Sequence, residues 1–177
     1  MSFDIRNVRL LFGGPFAGKT WLAKAIEKAN PGLIFEFDSE LKKQFPSVPN
    51  SAWRPMHPDH LRFRRASDAI KRQMRAHMSQ GGVAMRHDPM KEVPTAHTLL
   101  IYPGFDVINA RKKEWLLSNA ADAAGLASRI SASDHWYAKA TERGWLSQFT
   151  KMDSGRALRE LLKLPQHEAR RKVDNED

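Results

Sequence analysis

Val8-Arg9-Leu10-Leu11-Phe12-Gly13-Gly14-Pro15-Phe16-Ala17-Gly18-Lys19-Thr20 is a short apolar run that breaks into a glycine-rich loop and ends on Gly-Lys-Thr. The apolar residues predict a strand, and Gly13-Gly14-Pro15 a tight loop at its end. From Thr20 the spacing changes: Trp21, Leu22, Ala25, Ile26 and Ala29 recur at intervals of three and four, which predicts a helix that Asn30-Pro31-Gly32 stops. Leu33-Ile34-Phe35-Glu36-Phe37 reads as a second strand with Asp38-Ser39-Glu40 at its C-terminal end. Strand, helix and strand in this order form a βαβ unit, which implies a parallel sheet buried on both sides. The expected fold class is α/β, a P-loop NTPase-type parallel sheet with helices on both faces.

The loop itself matches Gly-x-x-x-x-Gly-Lys-Ser/Thr in full, in the strand-to-helix setting that the pattern requires. Gly13, Gly14, Pro15, Phe16, Ala17, Gly18, Lys19 and Thr20 are the candidate phosphate-binding residues. Glycines let backbone N–H groups curl around phosphate oxygens, and the helix N-terminus adds a favourable dipole. Lys19 reaches the outer phosphates, and the Thr20 hydroxyl ligates magnesium. ATP and Mg2+ are therefore the expected cofactors. The loop implies that a nucleoside triphosphate binds, but leaves open whether the outcome is motion, signalling or phosphoryl transfer.

Further along, residues 44–60 carry Pro46, Pro49, Pro55 and Pro58 and read as a loop. From Asp59 to Met78 the pattern is helical, with Phe63, Ala66, Ile70, Met74 and Met78 on one stripe and Arg64, Arg65, Lys71, Arg72 and Arg75 on the other side. Gly81-Gly82 through Pro94 reads as a flexible loop, and Thr98 to Tyr102 as a third strand broken by Pro103-Gly104. A helix is expected over 110–124, a short strand over Leu126 to Ile130, a helix from Ser133 to Arg143, and a last helix from Ser154 to Leu164. Residues 1–164 make one expected domain, followed by a charged, frayed tail over 165–177.

The chain has 177 residues, no cysteine, and a formal charge of +9. Absence of cysteine excludes a disulfide scaffold and a thiol nucleophile. No apolar stretch approaches the roughly 20 residues that span a bilayer. With no leader-like N-terminus either, a soluble cytoplasmic protein without a membrane partner is expected. The charge is concentrated: residues 42 to 75 hold 9 basic against 2 acidic residues, +7 of the total. Such a block attracts a phosphate-bearing partner, a nucleic acid or nucleotide substrate, unless it is only a solvated helix face. Arg62, Arg65, Arg72 and Arg75 are the candidate acceptor-binding residues.

Asp38 lies 19 residues beyond Lys19. At the end of the second strand its carboxylate can accept a proton from an acceptor hydroxyl or hold a metal-bound water. The competing reading is a helix cap. Lys19, Asp38 and Arg143 are the candidate catalytic residues, with Thr20 and Asp38 at the metal. Arg143, with Lys139 one turn earlier, is the cation expected to neutralise the transferring phosphoryl group, or else an ordinary cation at a helix C-terminus. Thr150-Lys151-Met152-Asp153 mimics a guanine-specificity motif and Asp122-Ala123-Ala124-Gly125 a switch motif, but neither follows an apolar strand. His57 and His60 lack the acidic or thiol companions of a metal site. Trp53, in the basic Pro-rich loop, is the tryptophan retained as a stacking candidate.

This arrangement resembles the P-loop kinases related to the phage-type polynucleotide 5′-hydroxyl kinase. The resemblance runs loosely from Val8 to Arg143: the P-loop followed by Trp21, the helix ending in Asn30-Pro31-Gly32, the strand delivering Asp38, a strand leading to a helix with Trp115, and Arg143-Gly144. It implies that Lys19 and Thr20 bind the triphosphate, that Asp38 is the general base, and that Arg143 is a lid arginine on the phosphates. The family has an arginine three residues beyond its catalytic acid, where this chain has Leu41 followed by Lys42 and Lys43. Its third strand ends in an acid, whereas Tyr102-Pro103-Gly104 intervenes here before Asp106.

The expectation is an ATP phosphotransferase acting on a nucleic-acid 5′-hydroxyl end, with a nucleoside monophosphate kinase as the alternative. A non-kinase ATPase or ATP-dependent DNA-binding module needs a carboxylate directly ending an apolar strand, and the third strand ends without one.

Overall fold

Leu10, Leu11 and Phe12 are wholly buried, which requires neighbours on both edges and both faces of their strand. The computed structural model, which describes residues 3–46, 56–119 and 123–167, supplies both. Five strands, β1 (Leu10–Phe12), β2 (Ile34–Glu36), β3 (Val83–Arg86), β4 (Thr98–Ile101) and β5 (Thr150–Met152), form one sheet in the order β2-β3-β1-β4-β5. Every pairing is parallel. The chain thus travels outward from β1 to one side of the sheet, then crosses to the other after β3. The crevice at the C-terminal end of β1 lies at that reversal, where ligands of open α/β sheets bind.

Alternate residues of the central strands serve opposite faces, as the pleat demands. Leu11, Val83, Met85, Leu99 and Ile101 join α1 (Lys19–Ala29) and α7 (Ser154–Leu161) in one cluster. On the other face, Leu10 and Ala84 pack with α2 (Phe37–Gln44) and α3 (His60–Ser79). Beside them Phe12 and Leu100 pack with α4 (Phe105–Ser118), α5 (Ala123–Glu142) and α6 (Trp145–Gln148). The α/β class with helices on both faces is as expected.

Five expectations are corrected. The segment read as a loop from Gly81 contains β3, which sits between β2 and β1. Its Val-Ala-Met run is short, apolar on both faces and therefore without alternation, and glycines and Asp88-Pro89 punctuate it like a loop. The expected strand at 126–130 is part of α5, because five residues are too few to separate the two periodicities. Thr150–Met152, set aside as a guanine-specificity motif because it follows no apolar strand, is itself strand β5 at the sheet edge. The tail begins attached rather than frayed: Asn30 donates to the Pro165 carbonyl at 3.0 Å and accepts from the His167 N–H at 2.9 Å. The helix expected over 110–124 starts earlier, at Phe105, directly after Gly104 (φ 98°) ends the β4 connection. Residues 47–55, with Trp53, and 120–122, with Asp122, lie outside the described residues, as does the tail beyond His167.

Candidate functional site

Beyond β1 the chain turns through Gly13 to Gly18 and enters α1, whose N-cap is Gly18 in the left-handed region at φ 95°. A side chain there would be strained, and its Cβ would lie 2.8 Å from Ser154 Oγ. At Gly14 the reason for glycine is space: a Cβ would meet the Trp136 ring at 2.4 Å. Phe16 is the one positive-φ non-glycine residue among those described, at 63°. It is held from outside the loop.

Four consecutive carbonyls of the loop are committed to side chains. The Lys19 ammonium donates to Gly13 O and, at 3.1 Å, to Gly14 O. The Tyr137 hydroxyl donates to Pro15 O at 2.9 Å, and Arg111 Nη1 to Phe16 O at 2.9 Å. Trp136 and Tyr137 sit in the middle of α5, so this helix and α4 brace the loop and fix its path. Lys19 is only 8% exposed. Burial pulls its pKa down to about 8, against the opposing charges of Asp38, Glu36 and Asp88.

The loop forms one wall of a cleft of about 1330 Å³. Thr20 and Trp21 line it from α1, Arg111 from α4, Arg129 from α5, and Asp153 to Gly155 from the β5–α7 turn. The opposite wall is built from Glu36, Asp38 and Lys42 with Phe45 and Phe63, and His87 closes it. Asp38 is in the first turn of α2, where the helix dipole favours its charge; the helix is capped at Glu36, and Asp38 is not the cap. Its Oδ2 lies 2.9 Å from His87 Nε2. Burial disfavours the carboxylate, but the His87 hydrogen bond, then the charges of His87, Lys19 and Lys42, outweigh it and hold the carboxyl below its usual range.

Lys19, Thr20 and Asp38 therefore line one cleft. Arg143 does not join them. It follows α5 and stacks on Trp145 at 5.7 Å, while Lys139 pairs with Asp88. Arg129 is 14 residues earlier on the same helix, about 21 Å along its axis, and this is the arginine of α5 that reaches the cleft. Its guanidinium lies 4.9 Å from the Trp115 ring and 5.5 Å from Phe16. The four candidate arginines of α3 are also outside the lining. Arg62, Arg65 and Arg72 fall within an arc of about 80° on the side opposite Phe63, Ser67, Ile70 and Met74, facing solvent. Arg75 pairs with Glu92 at 2.7 Å.

Sequence reading missed Glu36, His87, Arg111, Arg129 and the Asp153–Gly155 turn. For His87 and Asp88 the signal was the apolar run Val83 to Met85 just before them. Strand β3 also revises the feature that separated kinase from ATPase, since a carboxylate does follow an apolar strand. That carboxylate is engaged, however: Asp88 accepts from Trp136 Nε1 at 3.1 Å and from Lys139.

Compared with models of known protein families and with curated protein sequences, the chain matches none. Among the described residues no helix is long and apolar enough to cross a membrane.

Proposed function

We propose that the chain is an ATP-dependent phosphotransferase of the P-loop kinase type, acting on a hydroxyl at a nucleic-acid 5′ end or on a nucleotide. The observation that carries this reading is the meeting of the braced Gly13–Thr20 loop with Asp38 across one cleft at the reversal point of the sheet.

Each residue then has a task. Lys19, buried and with its pKa lowered to about 8, is held in the charged form by the outer phosphates. Arg111 and Arg129, rather than Arg143, supply the further positive charge that the transferring phosphoryl group needs. The acceptor hydroxyl oxygen bonds to the γ-phosphorus as the bond from that phosphorus to the bridging oxygen breaks and ADP leaves. Its proton passes to the Asp38 carboxylate, which exchanges its His87 hydrogen bond for one from the acceptor. The donor set also suits Mg2+: the Thr20 hydroxyl and the Asp38 carboxylate are both oxygen donors, and this ion takes few protein ligands beside phosphate oxygens and water. When bound, the ion neutralises charge on the phosphates.

A polynucleotide is favoured over a free nucleotide as acceptor by the solvent-facing row of Arg62, Arg65 and Arg72. It extends about 15 Å along α3, more than one monophosphate needs.

The test is transfer of labelled γ-phosphate from ATP and Mg2+ to a 5′-hydroxyl oligonucleotide, a panel of nucleoside monophosphates, or no acceptor. Label on the oligonucleotide that is lost in Lys19→Ala and Asp38→Ala is the expected result. Label on one monophosphate moves the protein to the nucleotide kinases, and free phosphate alone makes it an ATPase.

A further inference from the structure

The wall facing the P-loop has a feature that phosphate chemistry does not use. Phe45, at the C-terminal end of α2, and Phe63, near the start of α3, meet edge to face with ring centroids 5.6 Å apart. Both line the cleft, on the same wall as Asp38, with Leu41 and Pro46 beside them. Phe63 is buried in the core, whereas Phe45 is half-buried and only partly covered by that core. The Arg62 guanidinium lies 5.4 Å from the Phe45 ring centre, and Lys42, another lining residue, projects from the same helix end. An apolar corner whose half-exposed ring has a guanidinium over it fits a ligand that is itself a planar ring joined to a phosphate, the base taking the ring face as Arg62 turns to the phosphate. Bases stack on such rings whatever their sequence, since each has a π-face.

We propose that Phe45, backed by Phe63, is a stacking subsite for the nucleobase of the acceptor, which holds the acceptor's hydroxyl towards Asp38. Arg62 takes the adjoining phosphate. This rests on the acceptor side of the functional reading above and adds to it the class of group recognised: a nucleobase, of a free nucleotide or of a chain terminus. Such a subsite converts binding energy at the base into position at the hydroxyl.

The experiment uses the whole chain and two 5′-hydroxyl oligonucleotides that differ only in the terminal residue, one with its base and one abasic, alongside a nucleoside monophosphate. Equilibrium binding by competition and kcat/KM for phosphoryl transfer are both measured. The base-bearing oligonucleotide is expected to bind and react about tenfold better than the abasic one. Phe45→Ala should abolish that difference by weakening only the base-bearing ligand, and Phe45→Tyr should retain it. ATP binding and the melting temperature of each variant confirm that the fold is intact. Preference for the base in the monophosphate alone assigns the subsite to free nucleotides. Equal binding of the two oligonucleotides, with no Phe45-dependent binding of the monophosphate, overturns the subsite. Discrimination in binding without any transfer keeps it and discards the kinase reading instead.

Discussion

The two walls of the cleft are built on different principles. The wall proposed to hold phosphates is one stretch, Gly14 to Thr20, whose side chains are mostly small. The wall proposed to hold the acceptor is assembled from the end of β2, from α2 and α3, and from His87 after β3, and its chemistry is carried by side chains. A backbone surface depends on glycines at fixed offsets and so leaves a motif in the sequence. A side-chain surface gathered from separate elements leaves none, and it can differ between proteins that share the first wall.

The largest test of this contrast is at Asp38. Asp38→Asn is expected to lower kcat by about 10²- to 10⁴-fold, the span of general-base contributions, while ATP affinity measured by calorimetry changes little. A parallel loss of ATP affinity would join the two walls into one functional unit. Next comes the arginine comparison on α5. Arg129→Ala should reduce kcat/KM for ATP by at least about tenfold, and Arg143→Ala should leave it within about twofold, because only the former reaches the cleft.

Acidity at the phosphate wall gives a third test. Folded Lys19 releases its proton near pH 8, below the roughly 10.4 of an unfolded lysine. Between those values the unfolded chain binds more protons, so this residue makes stability rise with pH. ATP binding should show the opposite trend, since the phosphates call for the charged form. Affinity is expected to fall above pH 8 by up to about tenfold per unit, with proton uptake visible as a buffer-dependent binding enthalpy. Affinity that stays flat from pH 7 to 9.5 would remove Lys19 from the phosphates.

The smallest effect is on the outer face of α3. Replacing Arg65 and Arg72 together by Gln should leave the melting temperature and ATP affinity unchanged. It should reduce the slope of log affinity against log salt for an oligonucleotide by about 1.4 to 1.8, two phosphate contacts' worth. An unchanged slope would return that row of arginines to the status of a solvated surface.

Much of this was legible in the chain. The apolar run before Gly13, the three-and-four spacing after Thr20 and the position of Asp38 led to the correct βαβ unit and to one end of the cleft. Strand β3 was not legible. A strand whose faces are both buried shows no alternation, and Val83 to Met85 is too short to announce itself. The error propagated: with β3 taken as a loop, His87 had no route to Asp38. Arg143 was read as the phosphate arginine from its place near a helix end with Lys139 one turn earlier, while Arg129 fell in the expected strand at 126–130, and neither local signal tells which end of a long helix meets the loop.

What the sequence alone determined is therefore the part that backbone sterics dictate. Gly18 sits at φ 95°, where any side chain is strained, and Lys19 and Thr20 follow in the first turn of α1. The tertiary structure decided which cations line the cleft, that Asp88 is tied to Lys139 while Asp38 pairs with His87, and which rings share the cleft with Asp38. These depend on the directions of helices set by packing on both faces of the sheet, and such directions are fixed by contacts between residues far apart in the chain.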